Sequence, residues 1–118
     1  MKTKIFLYAA LFILLISTSF AQQKISAKDA VYYIGDTVTV VDTVSGVYLS
    51  KSGIYFLNMG DQFSNNAFTA VIFNSDASKF HDLKSLEGKV IEVTGRVKFY
   101  QGKPEIVVEK REQLRVIN

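Results

Sequence analysis

Hydrophobic and polar residues alternate most regularly between positions 87 and 109, and this pattern predicts a β-hairpin. The apolar positions of its first strand are Ile91, Val93, Val97 and Phe99, with Gly95 keeping the same parity. The polar positions of that strand are Glu92, Thr94, Arg96, Lys98 and Tyr100. Gln101 and Gly102 supply the turn, and Pro104 opens a returning strand. The returning strand resumes the inward parity at Ile106 and Val108, so one face of the hairpin is expected to pack on a core.

Three further strands and two short helices are predicted before the hairpin. Residues 26–34 have apolar side chains at helical spacing behind Ser26, a candidate N-cap, and predict a short helix that ends at Gly35. The predicted strands are residues 38–44, residues 46–59 with a tight turn or bulge at 51–53, and residues 68–73. A second amphipathic helix is predicted between strands three and four, from Ala77 to about Leu86. Its candidate capping side chains are Asn74, Ser75 and Asp76.

The first 21 residues have the organisation of a secretory signal peptide. Lys2 and Lys4 precede an unbroken apolar run from Ile5 to Ile16, and small residues stand where a signal peptidase cleaves. The run is shorter than the roughly 18 to 20 apolar residues that span a bilayer, so a membrane anchor is the weaker interpretation. We expect an exported protein, periplasmic or secreted, whose mature chain of residues 22–118 is a single domain.

Removing residues 1–21 lowers the formal net charge from +3 to +1, because two of the fourteen basic residues leave and all eleven acidic residues remain. A chain with this charge has little overall attraction for polyanions, so any basic surface must come from local clustering. The sequence contains no cysteine, which removes thiol catalysis and cysteine-ligated metals from the possible functions.

The order of the predicted elements is that of an OB-fold, a five-stranded Greek-key barrel with a helix between strands three and four. The segments closest to such domains are YIGDTVTV (33–40), SGIYFLNMG (52–60), FTAVIF (68–73), LEGKVIEVTGRV (86–97) and YQGKPEIVV (100–108). On these segments the chain resembles a family of small bacterial OB-fold domains that bind nucleic acid. The resemblance spans about residues 25–117 and implies that the mature chain, residues 22–118, is one all-β OB-fold domain with a binding surface, without fixing a ligand.

OB-fold domains bind on the face of strands two and three and on the loops beside it. The basic and aromatic residues of those regions are Tyr48, Lys51, Tyr55, Arg96, Lys98, Tyr100 and Lys103, and Phe68 lies there as well. Cations follow phosphates and aromatic rings stack on bases, so this set favours single-stranded nucleic acid. The structural alternative places Phe68 and one of Tyr55 or Phe56 in the core. In that alternative the two cations of the hairpin pair across the sheet with Glu105 and Glu109.

No pattern in the sequence indicates catalysis or a cofactor. His81 is the only histidine, and next to Asp82 it is typical of a solvated surface pair. The aspartates at 36, 42, 61 and 76 lack the spacing of a calcium loop, and the serines at 45, 50 and 52 have no nearby base. We therefore expect a non-catalytic protein without a metal or other cofactor.

The leading hypothesis from the sequence is an exported OB-fold module that binds single-stranded nucleic acid or another anionic polymer. The alternative is a cell-envelope module that binds a protein or a glycan through the same surface. A continuous positive stripe through Arg96, Lys98 and Lys103 would favour the polyanion, whereas a neutral aromatic groove would favour the alternative.

Overall fold

A computed structural model describes residues 23–117, which form an eight-stranded sheet and short helices around a hydrophobic core. The strands are β1 (Lys24–Ile25), β2 (Thr37–Leu49), β3 (Tyr55–Met59), β4 (Phe68–Ile72), β5 (Val90–Arg96), β6 (Lys98–Tyr100), β7 (Lys103–Val107) and β8 (Leu114–Ile117). The helical segments are 3₁₀ helices at Ala27–Tyr33, Leu83–Leu86 and Arg111–Gln113 and one α-helical turn, α1, at Asn74–Ala77. The predicted all-β class with short helices is confirmed.

Strand β2 runs through both halves of the sheet. Its residues 37–43 pair antiparallel with β5, and its residues 44–49 pair antiparallel with β3. The register shifts between Val44 and Gly46, and such a shift bends a strand and changes which residues face inward. This change of parity is the reason that the sequence pattern suggested two strands, at 38–44 and from 46, where the structure has one.

The sheet does not close into the five-stranded barrel expected from the sequence. Its strand order is β6-β7-β4-β3-β2-β5-β8, with β1 added in parallel beside β2. β8 pairs antiparallel with β5, so the C-terminal segment extends the sheet from the hairpin's first strand. Strands β5 and β7, which a closed barrel would join, form no ladder with each other.

A side chain bridges the gap between β5 and β7. The Nε2 group of Gln113 donates hydrogen bonds to the carbonyl oxygens of Thr94, at 3.0 Å, and Val107, at 3.2 Å. Beside it, Gly95 approaches Ile106 so closely that a Cβ atom on the glycine would lie 2.6 Å from Ile106 Cγ2 and 3.1 Å from Gln113 Nε2. We call this junction of Gly95, Ile106 and Gln113 the seam. The amide of Gln113 takes the place of backbone ladder bonds there, so carbonyl groups on both strands are satisfied.

The inward parity predicted for the hairpin is confirmed at five positions and wrong at one. Ile91, Val93, Val97, Ile106 and Val108 are all buried in the core. Phe99 is 56% exposed. Its strand, β6, lies at the edge of the sheet and pairs only with β7, because the chain breaks from β5 at residue 97, where the backbone bonds to residues 35 and 36 instead.

The two predicted helices are present in altered form. Residues 27–33 form a 3₁₀ helix in which Ala27 and Ala30 are buried, and the Ser26 hydroxyl donates to Asp29 rather than capping a backbone N–H. The predicted helix of residues 77–86 is replaced by α1 and a separate 3₁₀ helix. Asp82 lies between them with a φ of 44°, a left-handed conformation that does not continue a helix. The predicted capping by side chains at 74–76 is wrong, since α1 has no side-chain cap.

A carboxylate on the outer face of β5 fastens the first and last strands of the described chain. Glu92 accepts hydrogen bonds from Lys24 Nζ on β1, at 3.1 Å, and from Arg115 on β8, at 3.1 and 3.2 Å. The hydrogen bond from Lys24 and the contact with the Arg115 guanidinium hold the pKa of the Glu92 carboxyl below its ordinary value, against the opposing effect of burial.

We expect Gly95→Ala to lower the free energy of unfolding by about 1–3 kcal/mol, because the new methyl group would overpack the seam. Gly46→Ala is the matched control. Gly46 also lies in a strand, and its Cβ atom would meet only two side-chain oxygens at 3.7 Å. Urea unfolding of the two variants and the parent measures both changes. Equal stability of the two variants would contradict the close approach of β5 and β7.

We expect the stabilisation from Glu92 to be lost as the pH falls. A carboxyl with a lowered pKa in the folded state stabilises the fold above its ordinary pKa of 4.5 and loses this effect as it is protonated below that value. Glu92→Gln should therefore lower Tm near neutral pH, and the difference from the parent should shrink toward about pH 3. Glu112→Gln removes the same charge from an exposed position and serves as the control. A difference in Tm that stays constant from neutral to acid pH would contradict this role.

Candidate nucleic-acid interface

The outer face of the β3-β4-β7-β6 half of the sheet carries the candidate site. Alternation along the strands turns Leu57, Ala70 and Ile106 into the core, so the residues beside them in sequence face outward. The cross-strand register then forms one outward row of Asn58, Thr69, Glu105 and Lys98. This row forms the base of the site.

Four aromatic side chains surround this row. Tyr48 and Phe56 are directly opposite one another on β2 and β3, with ring centroids 6.0 Å apart and ring planes tilted by 33°. Tyr100 stands on β6 and is 59% exposed, and Phe63 extends from the β3–β4 loop and is 76% exposed. Together they line a cavity of about 620 Å³. We call the space bounded by Tyr48, Phe56, Phe63 and Tyr100 the aromatic groove.

Lys103 lies at the edge of the groove, but its ammonium group is already hydrogen-bonded to the β3–β4 loop. Its Nζ donates hydrogen bonds to the carbonyl oxygen of Ser64, at 2.5 Å, and to the backbone and side-chain oxygens of Asn66, at 2.7 and 2.9 Å. The same ammonium lies 5.9 Å from the centroid of the Phe63 ring, within the range of a cation–π contact. These contacts therefore connect Lys103 on β7 to the β3–β4 loop.

A buried polar cluster supports the loop from below. Asn66 Nδ2 donates to Phe68 O at 3.0 Å and to Thr69 Oγ1 at 2.9 Å, with a longer contact of 3.3 Å to Asn58 Oδ1. Asn58, Asn66 and Thr69 are all buried. Buried polar groups are tolerated when their hydrogen bonds are made, and no fully buried side-chain nitrogen or oxygen of this cluster lacks a partner. The inner end of the loop is thereby fixed to β3 and β4.

A carboxylate also lines the groove. Glu105 is half-buried, and burial raises the pKa of its carboxyl while the ammonium of Lys98, its partner across the strand pair, opposes that shift. The groove therefore combines aromatic walls with a mixed pair of charges. It is not the continuous positive stripe that the sequence left open as one outcome.

The structure brings together only part of the predicted site. Tyr48, Tyr100 and Lys103 line the groove, and Lys98 shares the outward face of β6 with Tyr100. Tyr55 is half-buried against the core, on the opposite face of β3 from Phe56. Lys51 lies in the turn between β2 and β3, and Arg96 ends β5 beside Thr37, so neither lines the groove. Phe68 is buried in the core, as expected.

Sequence reasoning missed residues of the groove for two reasons. Tyr55 and Phe56 follow each other in a run that is apolar on both faces, so the hydrophobic pattern does not show which of the two faces the core. The turn at 51–53 places Tyr48 opposite Phe56, and this was the available signal for the outward orientation of Phe56. Phe63 is the one aromatic residue in the polar segment GDQFSNNA, and that isolation was its only signal. The outward orientation of Asn58, Thr69 and Glu105 depends on register, which the sequence did not specify.

A second open cavity, of about 690 Å³, lies between residues 78–86 and the segment 111–116. Its lining mixes Phe80, Leu83 and Leu114 with His81 and Arg111, and no aromatic rings face each other across it. Among residues 23–117, no three His, Asp or Glu side chains are grouped as metal ligands would be. In the same part of the chain, no helix has the length and apolar character needed to cross a membrane.

Comparison with solved structures agrees with the fold. The asparaginyl-tRNA synthetase from Pyrococcus horikoshii superposes with a TM-score of 0.55 at 21% identity, covering 83% of this chain and 24% of the synthetase. The second OB-fold domain of replication protein A from Methanococcus maripaludis superposes with a TM-score of 0.50 at 18% identity, covering 80% and 96%. The OBody AM1L10, in a structure bound to hen egg-white lysozyme, superposes with a TM-score of 0.57 at 12% identity, covering 86% and 99%.

The chain spans about a quarter or less of the length of the tRNA synthetases it matches, and at these identities the likeness shows the fold alone. No curated protein matches the sequence. The family of tRNA anticodon-type OB-fold nucleic acid binding domains matches residues 38–114, which run from β2 to the first residue of β8 and include every residue of the aromatic groove. By the match to this family, the chain belongs to the OB-fold nucleic acid binding domains.

Proposed function

We propose that this protein is an exported, non-catalytic OB-fold module that binds single-stranded nucleic acid, or another anionic polymer, in the aromatic groove. The observation that carries the proposal is the convergence of Tyr48, Phe56, Phe63 and Tyr100 around one cavity. Aromatic rings on an open sheet face stack on unpaired bases at about 1–3 kcal/mol each. Bases inside a duplex do not offer their faces to such rings, so a single strand is the form that fits.

The charges beside the groove indicate that stacking contributes more to binding than phosphate contacts do. Lys103 is bonded to the loop, and Lys98 faces Glu105 across the strand pair. With a mature net charge of +1, the domain lacks the broad positive field of tight polyanion binders. We therefore expect affinity in the region of about micromolar at physiological salt.

Export is the part of the proposal that depends on residues 1–21, which lie outside the described residues. We expect protein isolated from its native host to have the intact mass of a chain that begins at or close to Gln22, because the charged start, the apolar run and the small residues before that position form a cleavable signal. Mass spectrometry of the purified protein measures this. A stable membrane-bound species with the mass of the full chain would instead make the apolar run an anchor.

The binding proposal is tested by fluorescence anisotropy with a labelled single-stranded oligonucleotide at several salt concentrations. We expect Tyr100→Ala to weaken binding by about 1–3 kcal/mol with little change in the slope of log K against log salt, since a stacked ring releases no counterions. Lys98→Ala is expected to reduce that slope by about 0.7, because Lys98 shares the outward face of β6 with Tyr100 and is placed to neutralise one phosphate. Tyr32→Ala removes an exposed tyrosine from the first 3₁₀ helix, outside the groove, and should bind as the parent does.

The outcome of this experiment separates the two functions. Absence of binding at low salt, or equal effects of the Tyr100 and Tyr32 substitutions, would contradict nucleic-acid binding in the groove.

The second candidate function is a cell-envelope module for a protein or a neutral glycan. Two features favour it. The Lys103 ammonium is already hydrogen-bonded within the chain, and the carboxylate of Glu105 in the groove repels phosphates when it is ionised. The similarity to the OBody structure bound to lysozyme supports the idea that a fold of this kind can bind a protein. Calorimetry with neutral oligosaccharides, with Tyr100→Ala as the variant, distinguishes this function because its binding would be nearly independent of salt.

A further inference from the structure

The geometry assigns Lys103 a positioning role: we infer that its ammonium holds the loop of residues 60–67 against the sheet so that Phe63 forms a wall of the aromatic groove. The lysine was expected from the sequence to contact phosphate, and this inference replaces that role. Its consequence for ligand binding rests on the proposed function, whereas its consequence for the loop does not.

The hydrogen bonds of Lys103 account for its whole donor capacity. An ammonium group has three N–H donors, and Lys103 has three oxygen partners at 2.5, 2.7 and 2.9 Å, all of them on Ser64 and Asn66. A phosphate could bond to Nζ only by displacing one of these partners. A charge-assisted bond to a carbonyl group is among the stronger hydrogen bonds in proteins, so this displacement has a cost.

The loop is fastened at its two ends and held at its tip by Lys103. At its inner end, Asn66 is buried and bonded to Phe68 and Thr69, and the N–H of Ala67 donates to Met59 O. At its outer end, the Ser45 hydroxyl donates to the carbonyl oxygen of Asp61. Between these points Ser64 is the residue next to Phe63 in the chain, and its carbonyl accepts the bond from Lys103.

Fixing the loop in advance changes the energetics of stacking. A polar, turn-rich loop left free in solution would have to become ordered when a base stacked on Phe63, and that ordering subtracts from the binding free energy. With Lys103 in place, the ring is already presented to the groove at 76% exposure, beside Tyr100 on the neighbouring hairpin. The lysine thus acts on the ligand through Phe63 and not through its own charge.

The first test measures the loop without any ligand. Lys103→Met keeps an unbranched side chain of similar length and removes the three donors, and Lys98→Met on the adjacent strand is the matched control. We expect amide hydrogen exchange of residues 62–67 to become at least about tenfold faster in Lys103→Met and to stay at the parent rate in Lys98→Met. Lys103→Arg retains donors at the same place and should restore most of the protection, which separates loss of these hydrogen bonds from a general loss of folding.

The second test uses a labelled single-stranded oligonucleotide with Phe63→Ala, Lys103→Met and the double variant. We expect Phe63→Ala and Lys103→Met each to weaken binding about 5- to 100-fold, the double variant to bind no more weakly than Phe63→Ala, and the salt slope to stay at the parent value. Parent exchange rates in Lys103→Met, together with a salt slope reduced by about 0.7, would show that Lys103 contacts a phosphate and would overturn the inference. If the parent binds no oligonucleotide at all, the proposed function fails, and the exchange rates alone decide the role of Lys103.

Discussion

The close approach of β5 and β7 at the seam is the constraint on which the rest of the structure depends. The two strands form no ladder with each other. Gly95 leaves space for the Cγ2 methyl group of Ile106, and the side-chain amide of Gln113 donates hydrogen bonds to the backbones of both strands. Gln113 is itself held, because its Oε1 accepts from the N–H groups of Glu109 and Lys110. The side chain thereby joins β5 to β7. The parallel ladder of β7 with β4 then places the β6–β7 hairpin, and with it Tyr100, beside the face of β3 and β4.

Much of the fold could be predicted from local patterns, because they report directly on burial. Alternation identified the inward residues of β5 and β7, and the turn at 51–53 was placed correctly. Alternation predicts that Phe99 faces the core, and this prediction is wrong because the alternation continues into β6, a strand that does not cover the core. Gln113 was not identified, since its role is to bridge strands that are distant in sequence, and no local pattern reports such a contact.

The candidate site was predictable where exposure alone decides, as for Tyr48 and Tyr100. It was not predictable where tertiary contacts decide. A shift of one residue in the register of β3 would turn Tyr55 into the groove and Phe56 toward the core. The sequence predicts a phosphate contact for Lys103 because a lysine near a turn is normally solvated, and only the folded loop shows that the partners of its ammonium are carbonyl groups of its own chain. Charge counted along a sequence thus overstates the charge that a surface can offer to a ligand.

The bridge from Lys24 through Glu92 to Arg115 also determines where this fold can be joined to other chains. Because both cations bond to one carboxylate, the first and last described strands lie within two side-chain lengths of each other, on β2 and β5 and away from the groove. Where the two ends of a domain lie close together and outside a binding site, circular permutation and domain fusion are tolerated. A short linker at this corner would permit an engineered chain to open elsewhere, or to carry a second domain, while the aromatic groove stays accessible.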